Sequence, residues 1–109
     1  MIRFRVYQAD NRICEFVVTG HAGYGEAGTD IVCAGVSALV YNAVNSCERL
    51  LGIVLDTTDT GNKLHCVVPS KQLLNSDVQL LLHSLVFGVE QVAEAYPEYV
   101  KVEHRIGTE

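Results

Sequence analysis

The sequence predicts an α+β domain with the order ββαββαβ, a mixed sheet packed with two helices. Three observations carry that prediction. Apolar residues alternate at period two in five short stretches, they recur at helical spacing in two long ones, and turn residues separate neighbouring stretches. Residues 1–109 read as a single domain, with no repeat, low-complexity tract or interdomain linker.

The elements follow in order. "IRFRVY" places Ile2, Phe4 and Val6 on one face of a first strand, and "RICEFVVTG" places Cys14, Phe16 and Val18 on one face of a second, with "QADN" as the turn. "TDIVCAGVSALVYNAVNSCERLLG" reads as a helix capped by Thr29 or Asp30 and ended by Gly52. Its stripe is Val32, Val36, Leu39, Ala43, Cys47 and Leu50, and small or apolar residues on the opposite face predict burial on more than one side. "IVLDTT" and "KLHCVVP" form a hairpin across "DTGN". In "SDVQLLLHSLVFGVEQVAEAY", Ser76 and Gln79 stand at capping-box spacing, and Val78, Leu81, Leu85, Val89, Val92 and Tyr96 make the stripe. Pro97 stops this helix, and "YVKVEHRI" is the last strand.

Composition narrows the function. The chain is 49% hydrophobic and 19% charged, which describes a packed globular protein. The alternating N-terminus reads as a strand and not as a secretion signal, and polar residues or glycines interrupt the apolar runs before membrane-spanning length. A cytoplasmic protein without membrane association is the expectation. A net charge of −5, with no cluster of Lys and Arg expected anywhere, argues against direct nucleic-acid binding. Cysteines at 14, 33, 47 and 66 show no C-x-x-C spacing, and Cys14, Cys47 and Cys66 read as core.

The chemistry concentrates in "GHAGYGEAGTDIVCAG", which holds five glycines, one histidine and one cysteine in sixteen residues. "GYGEAG" matches G-x-G-x-x-G, but it follows a hairpin strand and no βαβ unit surrounds it, so nucleotide binding is weakly supported. His21 and Cys33 with Asp30 or Glu26 match no common metal-site spacing, and no metal or other cofactor is expected. His65, His83 and His104 read as surface or structurally satisfied residues. Cys33 is expected in about the first turn of its helix, where unpaired N–H groups and the macrodipole favour a thiolate and an oxyanion. On that footing the helix start is expected to activate an accessible thiol more than His21 does. A histidine folding back from the loop would complete a Cys–His pair for acyl transfer; a buried cysteine beside an ordinary loop remains the plainer alternative.

"GHAGYGEAGTDIVCAGVSALV" resembles the signature of the ribosomal-processing cysteine protease family (Prp, YsxB-like), and the resemblance extends over essentially the whole chain. Gly35 departs from it, standing where a second alanine is expected. The resemblance implies a homodimeric cytoplasmic endopeptidase that removes the N-terminal extension of large-subunit ribosomal protein L twenty-seven at an apolar site with paired phenylalanines. It implies Cys33 as nucleophile and His21 as general base and later general acid. Asp30 would orient His21 or cap the helix, and Ser37 would support the thiol or pack. Gly20, Ala22, Gly23, Tyr24, Gly25, Glu26, Ala27 and Gly28 would form a lid over the substrate. The alternative reading is a non-catalytic, ribosome-associated module that holds a peptide in the same groove.

Overall fold

The computed structural model describes residues 1–20 and 27–108, with the backbone alone for Ala27–Asp30. β1 (Ile2–Ala9) and β2 (Arg12–Thr19) form the first hairpin. Asp10 and Asn11 turn it with φ of 52° and 64°, the left-handed pair that a two-residue hairpin loop requires and that Asp and Asn tolerate. Ile2, Phe4 and Val6 are fully buried, and the Phe4 ring stacks on Phe16 with centroids 5.4 Å apart.

One position of β2 departs from the expected alternation. Cys14 is half-buried and Ile13 takes the core place. Tyr7 pairs with Glu15 but Gln8 pairs with Ile13, so Cys14 is the extra residue of a bulge. One inserted residue reverses which side chains face inward beyond it, which no period-two reading of "RICEFVVTG" anticipates.

α1 (Ala27–Leu51) begins before the expected caps, so Thr29 and Asp30 lie inside its first turn. Ala27 is a strong helix former, and the chain continues the helix back through it and Gly28. The inward stripe is Val32, Val36, Val40, Ala43 and Cys47. It is centred between Val36 and Val40, so Leu51 turns toward the core while Leu50, expected in the stripe, is 72% exposed. Gly52 ends the helix at φ 68°, and the N–H groups of Gly52 and Ile53 return to the carbonyls of Glu48 and Cys47. Contrary to the sequence expectation, Ile31–Leu51 is long and apolar enough to cross a membrane. Its stripe is buried in the protein's own core, however, and Asn42, Asn45, Glu48 and Arg49 are exposed on the other side.

β3 (Asp56–Asp59) and β4 (Lys63–Val67) form the second hairpin, and a single 3-10 turn (Ser70–Gln72) leads to α2 (Ser76–Ala95). The α2 cap is Asn75 and not Ser76: its side chain accepts from the N–H groups of Asp77 and Val78. Gln79 is thereby released from the capping box. Its side chain accepts from Ile13 N–H at 2.8 Å and donates to the carbonyls of Ile13 and Leu73, both at 3.0 Å, pinning α2 to β2 at the bulge. Val78, Leu82, Leu85, Val86 and Val89 are buried; Leu81 is only half-buried, and Tyr96 lies just beyond the last turn at 46% exposure. At Gly88 an added Cβ would sit 3.2 Å from Leu39, which marks the close approach of α2 to α1.

β5 (Val100–Ile106) completes a sheet ordered β3-β4-β2-β1-β5. β5 runs parallel to β1 and every other pairing is antiparallel, the mixed sheet expected. Both helices contribute to one core on one sheet face. The opposite face gathers what the linear sequence disperses. By alternation and register Arg3, Arg5, Lys63, Lys101 and Arg105 all point there, interleaved with Glu15, Asp56 and Glu103. Glu103 lies 3.6 Å from Arg3 and 2.9 Å from Arg105. Lys and Arg therefore do cluster in space, on a face that carries its own counter-charges.

Candidate active site

α1 builds the site along one ridge. Cys33, Ser37 and Tyr41 stand at i, i+4 and i+8, so their side chains line one side of the helix. Cys33 is the seventh helical residue and is only 6% exposed. Both facts revise the expectation of an accessible thiol in the first turn. The unpaired N–H groups belong to the first four residues, and the favourable field of a helix start fades beyond its first turn. The helix start therefore lends a thiol at this position less than a place in its first turn would.

Ser37 makes no hydrogen bond to the Cys33 thiol. It lines a solvent-open apolar hollow together with Val36, Val40 and Tyr41 of α1, Val18 of β2 and Leu64 of β4. Tyr41 forms the outer wall: its hydroxyl donates to Asp59 Oδ2 at 2.6 Å, bridging α1 to the end of β3. That bond to a carboxylate, with partial burial and the Asp59 charge, raises the Tyr41 pKa above 10.0. The hollow has room for about one water as it stands. Sequence reasoning missed Tyr41 and Asp59; the i+8 spacing from Cys33 was the available signal, but the partner 18 residues away on another element was not.

The remaining expected residues divide by position. His21, Ala22, Gly23, Tyr24, Gly25 and Glu26 lie outside the described residues. Ala27, Gly28 and Asp30 belong to the first turn of α1, so two residues expected in the lid are helical. Gly20, also expected in the lid, ends β2 with φ 76°, and an added Cβ there would overlap the Met1 carbonyl oxygen. It holds the chain entering His21 directly against the start of β1.

Histidines and cysteines elsewhere among the described residues have settings of their own. His65 Nε2 pairs with Glu15 Oε1 at 2.9 Å on the outer sheet face, and Glu15 is buried. His83 meets the Asn11 carbonyl at 3.0 Å, and His104 lies 3.4 Å from Glu90. These partners give all three histidines structural roles. Burial raises the pKa of Cys47 and pushes that of Cys66 up to about 11, which keeps both thiols neutral. Among the described residues no three His, Cys, Asp or Glu side chains gather as a metal site.

Comparison with known proteins sets this ridge in context. A family model described as cysteine protease Prp matches residues 1–101. The chain is 33% identical over 97 residues to the ribosomal processing cysteine protease Prp of Bacillus subtilis, covering 85% of this chain and 87% of that one. Its counterpart in Staphylococcus aureus is 29% identical over 96 residues, covering 88% and 91%. Among solved structures, SMU.848 from Streptococcus mutans superposes with a TM-score of 0.92 at 31% identity, covering 98% of this chain and 96% of that one. The S. aureus protease in complex with a substrate peptide gives 0.86 at 28% identity, covering 96% and 100%. The same enzyme with a covalently linked product peptide gives 0.80 with the same identity and coverage. With the family model matched over residues 1–101 and the fold shared with these structures, the chain belongs to the cysteine protease Prp family.

Proposed function

We propose that this cysteine protease removes the N-terminal extension of large-subunit ribosomal protein L twenty-seven, acting through Cys33 and His21 as a cytoplasmic homodimer. The observation that carries the reading is the placement of Cys33 on the same α1 ridge as the apolar hollow. It is supported by the relatives' name and by the peptide complexes of the S. aureus enzyme. His21 takes the Cys33 proton as the sulfur attacks the scissile carbonyl. The tetrahedral adduct collapses to a thioester while His21 passes that proton to the departing amine. Water, deprotonated by His21, then attacks the thioester, and the proton returns to the Cys33 sulfur as the acid product leaves. Asp30 orients His21 in this scheme, and the segment 21–26 closes over the peptide.

The test is cleavage of a synthetic peptide spanning the extension. Cys33→Ala is expected to bind the peptide and leave it intact. His21→Ala is expected to lose roughly 10²–10⁴-fold in rate. Cys47→Ala and Cys66→Ala are expected to keep cleavage at reduced stability, because each leaves a small cavity in the core. Undiminished cleavage by Cys33→Ala would remove the nucleophile assignment.

A further inference from the structure

We infer that Tyr41, held by Asp59, is a specificity wall that sets the size of the apolar side chain admitted beside the scissile bond. The inference rests on the peptide-cleaving reading and adds the residues that choose the peptide. Four residues along a helix rise about 6 Å, so the hollow at Ser37 begins about that far from Cys33. An extended peptide advances roughly 3.3–3.6 Å per residue, which places the hollow's occupant within two positions of the reacting carbonyl. Its walls are Val18, Val36, Val40 and Leu64, with Ser37 as the polar lining residue and the Tyr41 ring as the outer boundary. Such walls reward an apolar side chain and offer no partner for a charge.

Size is set by the clasp. The four aliphatic walls belong to the packed core and do not move without disturbing it, whereas Tyr41 is 43% exposed and is tied outward by its bond to Asp59. While that bond holds, the hollow takes nothing larger than about a methyl group, and a bulkier apolar side chain enters only when Tyr41 swings away. The cost of breaking a hydrogen bond to a carboxylate then discriminates by side-chain size. Asp59 acts through Tyr41 and is a positioning residue. Its other oxygen, Oδ1, accepts from the Gly61 N–H in the β3–β4 turn.

The experiment uses peptides with Ala, Val, Leu or Phe at each of the two positions on either side of the scissile bond. Affinity is measured on the Cys33→Ala protein, alone and combined with Tyr41→Phe, Asp59→Asn or Asp59→Ala. Tyr41→Phe keeps the ring and removes only the clasp, so it is expected to tighten binding of the Phe peptide at one position by up to roughly tenfold, leaving the Ala peptide unchanged. Asp59→Ala should act in the same direction, and Asp59→Asn, which keeps an acceptor, should restore most of the original preference. Uniform shifts across the series, no shift with Tyr41→Phe, or no peptide bound at all would overturn the inference. Cleavage by the protein with Cys33 intact is scored separately. Size-dependent binding without cleavage would leave the wall standing and remove the catalytic reading.

Discussion

Gly20 and Gly35 are both glycines of the signature stretch, and the structure gives them opposite tolerances. At Gly20 a side chain meets the Met1 carbonyl and a positive φ together. Gly20→Ala is expected to lower stability by roughly 1–2 kcal/mol from handedness alone, with the overlap adding to it, as read by urea denaturation. At Gly35 an added Cβ meets nothing within 4 Å, and the position lies well inside α1. Gly35→Ala is therefore expected to stabilise by about 1 kcal/mol, the helix-propensity difference, with cleavage unchanged. Cys66 supplies a pH signature. Burial raises its folded pKa from 9.0 to about 11, so the stability of its neutral form is intact below pH 9 and is lost as pH rises toward 11. Relative to Cys66→Ala, the native protein should lose roughly 2–3 kcal/mol across that interval, measured by denaturation at each pH.

At the level of elements, the reading from sequence succeeded where one period ran uninterrupted and failed where a local bond competed with it. Ile2, Phe4 and Val6 were legible because nothing breaks the alternation of β1. Cys14 was not, because a bulge leaves no compositional mark. Ser76 was displaced as cap by Asn75, since both types cap well and only the backbone entry decides between them. The start of α1 was misplaced as well, because Thr29 and Asp30 sit inside a first turn that runs back through Gly28 and Ala27. The observed α2 start makes two predictions. Asn75→Ala should cost about 1 kcal/mol in thermal or chemical unfolding. Gln79→Ala should cost more, because Ile13 N–H and two carbonyls lose their partner together, with peptide cleavage retained.

For the whole molecule, the order of elements and the mixed sheet were legible, whereas relations across the sheet were not. The clasp from Tyr41 to Asp59 and the gathering of five basic residues on one face depend on register between distant strands. The same register has a consequence for synthesis. β1 is made before the other four strands, yet its partner along one edge is β5, with Ile2 opposite Val100 and Ile2 N–H bonded to the Tyr99 carbonyl. Closing a contact between strands so distant in sequence is slow compared with forming either helix. A chain leaving the ribosome thus carries Cys33 and the walls of the hollow long before anything can cover the free edge of β1. Nascent chains arrested before Val100 are expected to show no cleavage and to capture other strands along that edge, whereas chains arrested with Ile106 well outside the exit tunnel should cut peptide. The timing of competence is then written into strand order: the last strand to emerge is the one that completes the scaffold beneath Gly20.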